Sequence, residues 1–242
     1  TDEIIEELAS KAIEEEKQLD RTKLIEAGLI SVELNGYKVR RIKDKRAHAV
    51  LASTILSECD SAIRSGVTET LQRNFSAPAP ILRSATHVLF SVLHESEPQA
   101  RNRIIIEMES DFTNCVVIRK NSLVENMFVA EGTNTILGRI SANAPIEETL
   151  SLMRMIDRDT CESDACQKLK VSLASIEPEL ARTFGEAFSR LSSSRRLPNP
   201  IVLIVKPEFA PWLSRFFSRV DFGHFTVTTQ PLSPIVLTLK DV

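Results

Sequence analysis

The middle of the chain alternates between short β-branched runs and polar corners. The first run, Ile104 to Ile106, ends in the polar residues Glu107 to Asp111, and two further runs cover Cys115 to Ile118 and Leu123 to Val129. Short apolar runs bounded by polar corners predict strands. A helical pattern begins at Thr135. The order predicts a three-stranded meander followed by a helix, in which the first polar corner is the place where a ligand can be held.

The segment before the meander mixes helical and alternating patterns. Residues 3–18 predict an amphipathic helix. Leu29 to Leu34 alternates as a strand does, and Asn35-Gly36 predicts a tight hairpin turn into a return strand. The further predicted elements are a strand Ala47–Leu56, a helix Ser61–Phe75, a strand Ile81–Arg83 and a helix Thr86–Leu93. Residues 1–95 therefore predict an N-terminal helix with a small α+β domain, followed by a polar connector.

Residues 96–242 predict an α/β domain that contains the meander. Ile201 to Val205 is apolar at every position, which is typical of a strand buried on both faces. In such sheets ligands bind at the carboxyl ends of the strands, so the corners Glu107–Asp111 and Lys206–Glu208 are expected to face one crevice. The other predicted elements are helices Thr135–Ile140, Ile146–Ile156, Ser163–Ile176, Pro178–Leu191 and Phe209–Val220, and strands Phe225–Thr229 and Ile235–Leu239.

Composition narrows the class of protein. The chain is 43% hydrophobic and 26% charged with a formal net charge of −3, which is ordinary for a soluble globular protein. This balance favours no nucleic-acid partner, and the basic run Lys38 to Lys45 contains too little aromatic character to change that. No apolar run approaches the ~18 residues that span a bilayer.

The cysteines and histidines show no ligand pattern. Cys161 and Cys166 are five residues apart, which suits neither a C-x-x-C redox pair nor the usual zinc spacing. No metal site is predicted, and a reducing, cytoplasmic environment is expected. The chain starts at Thr1 in a charged helix without a signal-peptide pattern, so it is expected to be a piece of a longer or processed chain.

The element order resembles the second major domain of actin-like ATPases, and within them the FtsA/PilM branch. The segments most similar to the PilM-like members are KLIEAGLISVELNGYKV, RNRIIIEMESDFTNCVVIRKNSLV and LPNPIVLIVKPEFAPWLSRFF. The branch carries a small α+β subdomain ahead of the meander, at the place of residues 20–95. The resemblance covers nearly the whole chain and implies an actin-like (RNase H-like) α/β domain preceded by that subdomain.

The phosphate motif departs from the family. Its second phosphate loop reads Asp-x-Gly-x-x-x-Thr, and here Thr113 matches while Glu107 keeps a carboxylate that is one methylene longer. Glu109 stands where glycine lets backbone amides approach phosphate, and its charge opposes a polyanion. The residues that the resemblance places at the phosphate and adenosine loops are Glu107, Glu109, Ser110, Asp111, Thr113, Lys206 and Glu208.

The adenosine loop departs as well. In the family it is glycine-rich, whereas residues 205–209 contain no glycine and Pro207 removes an amide donor. The family's other phosphate loop lies in an N-terminal part that precedes the region matched here. The resemblance thus implies a degenerate site, with no catalytic residue assigned, at which ATP and Mg²⁺ would require that N-terminal part.

Two classes of function follow from the resemblance. A PilM-like scaffold of type IV pilus assembly would lie in the cytoplasm beneath the inner membrane and hold the short cytoplasmic tail of a membrane partner. An FtsA-like division protein is the alternative scaffold, and self-association stays open. The enzyme alternative is an active actin-like ATPase or sugar kinase, whose candidate carboxylates are Asp111 and Glu107, although solvated turn acids explain both more simply.

Overall fold

The computed structural model describes residues 2–17, 19–39, 45–75, 80–96, 101–141 and 144–237. The chain divides into two compact units, Thr1–Pro98 and Gln99–Val242. The first unit contains helix α1 (Asp2–Glu15), strands β1 (Leu24–Leu34), β2 (Tyr37–Val39) and β3 (Val50–Glu58), and helices α2 (Ser61–Asn74) and α3 (Ala85–Ser96). Its antiparallel sheet has the order β2-β1-β3.

The predicted hairpin is confirmed in the first unit. Asn35 and Gly36 have φ values of 51° and 82°, the left-handed conformation that a two-residue hairpin turn requires. The strand predicted at Ile81 to Arg83 is wrong. Those residues form no strand, and Ile81 is 82% exposed, because the segment leads directly into Ser84, whose side chain accepts a hydrogen bond from the His87 amide at the start of α3.

The second unit holds the α/β domain. Its elements are β4 (Arg103–Met108), β5 (Thr113–Arg119), β6 (Ser122–Val129), α4 (Thr133–Ile140), α5 (Ile146–Asp157), α6 (Asp164–Leu191), β7 (Pro200–Ile204), α7 (Ala210–Arg219), a short 3₁₀ turn (Gly223–Phe225) and β8 (Ser233–Leu237). The sheet order is β6-β5-β4-β7-β8. Strands β6, β5 and β4 pair antiparallel as a meander, as predicted, and β4, β7 and β8 pair parallel.

The register of β4 and β7 places the two predicted corners at one edge of the sheet. Glu107 near the end of β4 lies beside Ile204 at the end of β7. All six residues of β4 are buried, and so are Ile201, Val202 and Leu203 of β7. Continuous apolar runs are what strands covered on both faces require.

Helices α6 and α7 supply an aromatic core against this sheet. Phe184 and Phe188 of α6 contact Phe217 of α7 at ring-centroid distances of 5.1 and 6.3 Å, and all three rings are fully buried. Trp212 and Phe216, predicted as core anchors, are 7% and 0% exposed. Each such ring contributes about 1.5 to 3 kcal/mol by burial.

The segment predicted as two helices is one. Helix α6 runs through Pro178 without a break. Proline inside a helix costs about 3 kcal/mol, because its ring clashes with the carbonyl four residues earlier and it has no N–H. The buried stripe of Leu173, Ile176, Leu180 and Phe184 keeps its phase across Pro178, and its burial outweighs that cost.

One more predicted strand is corrected, and a disulfide that the sequence analysis did not predict is found near the helices. The predicted strand Phe225–Thr229 is a 3₁₀ turn followed by a turn at Thr229, whose φ is 56°, and only the isolated bridge of Thr226 to Leu197 has strand character. Cys161 and Cys166 form a disulfide, with Cα atoms 5.9 Å apart. The first turn of α6, capped by Ser163, returns Cys166 towards Cys161, which a spacing rule does not reveal.

Cys115, predicted as core packing, is fully buried, and burial raises the pKa of its thiol to about 12. Within the described residues, the structure contains no helix with the length and hydrophobicity to cross a membrane.

Candidate functional site: the corner between β4 and β5

The corner between β4 and β5 is a tight turn closed by its own backbone. The Glu109 amide donates to the Phe112 carbonyl at 2.9 Å. The corner brings together five of the seven predicted site residues: Glu107, Glu109, Ser110, Asp111 and Thr113. It therefore lies where the resemblance predicts a phosphate loop, and its hydrogen bonds decide whether its amides are available.

The N-terminus of α4 is bonded to this corner. The amides of Thr133 and Asn134 donate to the carbonyls of Glu109 and Ser110 at 2.8 and 2.7 Å. The Asn134 side chain donates to Asp111 Oδ1 at 3.2 Å. The first amides of a helix are the groups that bind anions, because no carbonyl within the helix satisfies them. In α4, two of these amides already donate to carbonyls of the corner and are not available to an anion.

Gly132, just before α4, allows this close approach. A Cβ on Gly132 would lie 2.5 Å from the Ser110 carbonyl oxygen and 2.6 Å from the amide nitrogens of Asp111 and Phe112. Its φ of −140° is one that any residue adopts, so contact with the corner, and not backbone conformation, is what requires glycine here. The corner thus requires a glycine on its helix side.

A buried clamp fixes the other side of the corner. Thr113 Oγ1 donates to the Glu131 carbonyl at 2.5 Å. The Glu131 carboxylate is paired with Arg139 of α4 and accepts from Thr135 Oγ1 at 2.9 Å. Thr135 Oγ1 in turn accepts from the Gly132 amide at 2.8 Å. Thr113, the one residue that matches the family motif, therefore serves this clamp.

Glu107 is the buried acid of the site. It is 8% exposed, and its Oε2 accepts from Asn114 Nδ2 at 3.3 Å. Burial raises the pKa of Glu107 above its ordinary value, and the negative charge of Glu109 raises it further, whereas the Asn114 hydrogen bond opposes the shift. Two acidic side chains lying close together are poorly suited to a polyphosphate unless a cation lies between them.

The predicted adenosine loop forms a turn after β7. The Phe209 amide donates to the Lys206 carbonyl at 2.9 Å, and the Phe209 ring is fully buried. Glu208 Oε1 lies 3.8 Å from Arg154 Nε of α5. Glu208 is thus engaged with a helix, and the turn has no glycine at which a base or ribose could approach the backbone.

The first unit contains a polar cluster around Glu26 that the sequence analysis did not predict. The buried Glu26 of β1 accepts from the Ser84 amide at 3.0 Å, from Ser57 Oγ at 3.2 Å, and from His87. These hydrogen bonds outweigh burial and lower the pKa of Glu26. A glutamate at an inward position of the apolar strand LIEAGLI is the signal that could have revealed it. Among the described residues no group of three or more His, Cys, Asp or Glu is arranged to hold a metal ion.

Comparisons with known proteins show the fold. No family model matches the sequence, and no curated protein matches it either. The chain is similar to a structure of the PilM–PilN type IV pilus biogenesis complex, with a TM-score of 0.56 at 12% identity over 97% of this chain. It spans 62% of the matched chain. This likeness, together with the two-sheet α/β architecture, confirms the predicted actin-like fold.

Two of the other similar structures align less well. The ethanolamine utilization protein EutJ from Carboxydothermus hydrogenoformans aligns with a TM-score of 0.42 at 12% identity, over 95% of this chain and 93% of that one. A Ppx/GppA family member from Aquifex aeolicus aligns with a TM-score of 0.33 at 11% identity, over 64% of this chain and 42% of that one.

Proposed function

We propose that this chain is part of an actin-like scaffold protein of the PilM kind, which holds the short cytoplasmic tail of an inner-membrane protein without depending on ATP. The observation that carries the proposal is the closed corner between β4 and β5. A PilM-like fold is retained around it, while the groups that would hold phosphate are bonded to the protein itself. A scaffold needs a stable fold and a binding surface, and it needs no hydrolysis.

The electrostatics of the corner support this proposal. Glu109 replaces the glycine of the family motif. It lies close enough to Glu107 for its negative charge to raise the pKa of that carboxyl. Two carboxylates near a polyphosphate would repel it by kilocalories unless Mg²⁺ lay between them. The amides of Thr133 and Asn134, which could have compensated, already donate to the corner.

The partner is proposed by analogy with the matched structure. PilM is there described in a complex with PilN in type IV pilus biogenesis. The corresponding partner of this chain would be an inner-membrane pilus protein whose cytoplasmic tail is short. The chain would then lie in the cytoplasm and reach the membrane only through that tail.

The test is a calorimetric titration of the protein with synthetic tails of inner-membrane pilus proteins, each compared with its scrambled sequence. We expect one tail to bind with micromolar affinity, and the affinity to be the same with and without Mg-ATP. If no tail binds, or if binding requires Mg-ATP, the proposal is wrong. Micromolar binding of Mg-ATP that Glu109→Gly leaves unchanged would instead favour the active ATPase.

A further inference from the structure

We propose a second binding site on the unit Gln99–Val242: a groove between α5, α6 and α7 that takes a short acidic peptide segment of a partner protein. The groove has a volume of about 390 Å³, within the range of about 300 to 1,000 Å³ typical of ligand pockets. Its floor is formed by Ile156 of α5, Leu173 and Ala174 of α6, and Trp212 of α7. It is separate from the corner at β4 and does not depend on the proposed tail binding.

Pro178 leaves the backbone carbonyl of Ala174, a residue that lines this groove, without its helical donor. In a continuous helix the amide of residue 178 would donate to the Ala174 carbonyl, but proline has no N–H and its ring pushes that carbonyl away from the helix axis. Ala174 lines the groove and is exposed. A peptide amide that enters the groove can supply the missing donor.

An apolar stripe continues from this carbonyl along α6. Val171 is 69% exposed, and Ala174 and Pro178 lie on the same exposed face of the helix. Residues at these spacings are neighbours on a helix surface. Ala174 of this stripe lines the groove, so an apolar side chain of the peptide could extend from the groove along the exposed face of α6.

The charge of Lys170 favours an acidic partner at the groove. Three cationic side chains line it, Lys170, Arg215 and Arg219, and both arginines face acids, Asp157 and Glu177. Arg219 pairs with Glu177, and Arg215 lies 3.7 Å from Asp157. Lys170 makes no ion pair within the described residues, so its ammonium group is available to a carboxylate of the ligand.

Trp212 also provides the readout, since it is the only tryptophan of the chain. Its Nε1 donates to Glu177 Oε1 at 3.2 Å on the groove wall. The probe is an eight-residue peptide of alternating glutamate and leucine with blocked termini, and its control replaces every glutamate by lysine. We expect the acidic peptide to change the Trp212 fluorescence saturably, and the lysine peptide to bind at least tenfold more weakly.

Two variants locate the site. Lys170→Glu should weaken binding of the acidic peptide at least tenfold, because it replaces attraction by repulsion at the rim. The matched control Arg182→Glu reverses a charge on the same helix, outside the groove, and should change the affinity less than twofold. Equal effects of the two variants, equal binding of both peptides, or no saturable signal up to millimolar peptide would overturn the proposal.

Pro178→Ala separates binding from folding. It restores the donor for the Ala174 carbonyl, so the protein should gain thermal stability, by about 5 °C or more in Tm, while the acidic peptide loses at least threefold in affinity. A merely structural role for Pro178 predicts the gain in Tm with unchanged affinity. That result would exclude the carbonyl from the site.

Discussion

The two binding regions considered on the second unit differ in how their polar groups are satisfied. At the corner between β4 and β5, the resemblance predicts a phosphate loop, yet the amides of Thr133 and Asn134 are bonded to carbonyls of the corner itself. At the groove between α5, α6 and α7, no sequence motif indicates a ligand, yet Pro178 withholds a donor from the Ala174 carbonyl. The order of the elements is therefore a weaker guide to binding than the hydrogen-bonding groups that have no partner within the protein.

The strongest test of the closed corner is Gly132→Ala. The added Cβ would meet backbone atoms of Ser110, Asp111 and Phe112 at 2.5 to 2.6 Å, and backbone cannot rotate away as a side chain can. We expect a loss of about 3 kcal/mol in the free energy of unfolding, seen as a fall in Tm of roughly 6 to 12 °C. Thermal unfolding by circular dichroism measures it.

The control for this variant lies six residues further on. Gly138 is exposed in α4, with nothing within 4 Å of an added Cβ, so Gly138→Ala should stabilise the protein by about 0.5 to 1 kcal/mol. A Gly132→Ala protein as stable as the parent would mean that the corner and α4 are not packed together.

Removing the cation of the clamp should have the next largest effect. Arg139→Met leaves the buried carboxylate of Glu131 without its ion-pair partner. Loss of one partner of a fully buried pair costs about 3 to 5 kcal/mol, and because the Arg139 side chain is 28% exposed we expect about 2 kcal/mol. Chemical denaturation measures the loss. The exposed pair of Arg182 and Glu186 offers the comparison, since Arg182→Met should cost no more than about 0.5 kcal/mol.

Glu107 makes the closed corner sensitive to pH. Its pKa is raised on folding by burial, so the folded state holds the Glu107 proton more tightly than the unfolded chain does. The stability of the fold falls as pH rises from 4.5, the ordinary pKa of a glutamate, through the raised pKa of Glu107 in the folded state. Above that raised pKa, the destabilising effect of Glu107 no longer changes with pH.

Glu107→Gln should therefore stabilise the protein at pH 7 by on the order of 1 kcal/mol, with a gain that disappears below the ordinary pKa. Urea denaturation at several pH values measures it. The exposed Glu69→Gln serves as the control and should show no such trend. A gain that is independent of pH would point to packing instead of charge.

The smallest effect is expected in the turn after β7. Glu208 and Arg154 lie 3.8 Å apart, and the Arg154 side chain is half-exposed, so Glu208→Gln should cost about 0.3 kcal/mol. A loss in Tm above about 2 °C would show that this turn contributes more to the fold than a solvated ion pair does.

The fold could be predicted because the spacing of apolar residues along the sequence reflects which positions are buried. The meander and β7 appear in the sequence as β-branched runs, and the hairpin at Asn35-Gly36 rests on backbone conformations that those residues favour. The errors arise where tertiary contact overrides a local rule. Pro178 predicts a helix start, but the apolar stripe on both sides of it maintains one helix.

For the corner between β4 and β5, the sequence predicted the location but not the hydrogen bonds that close it. The sequence shows Glu109 in place of glycine, but the bonds that close the corner come from Gly132 and the first turn of α4, more than twenty residues away. Nothing in the spacing of these residues reveals the contact. The clamp of Glu131 and Arg139 was missed for the same reason.

Amide hydrogen exchange measured by NMR tests the closed corner most directly. We expect the amides of Thr133 and Asn134 to exchange slowly, as amides inside helices do, and saturating Mg-ATP to shift no resonance from Glu107 to Thr113. Rapid exchange of these two amides would show that the corner is not closed. Slow exchange that appears only when Mg-ATP is added would contradict a closed corner as well. In that case the two amides would be free without nucleotide and would bind phosphate.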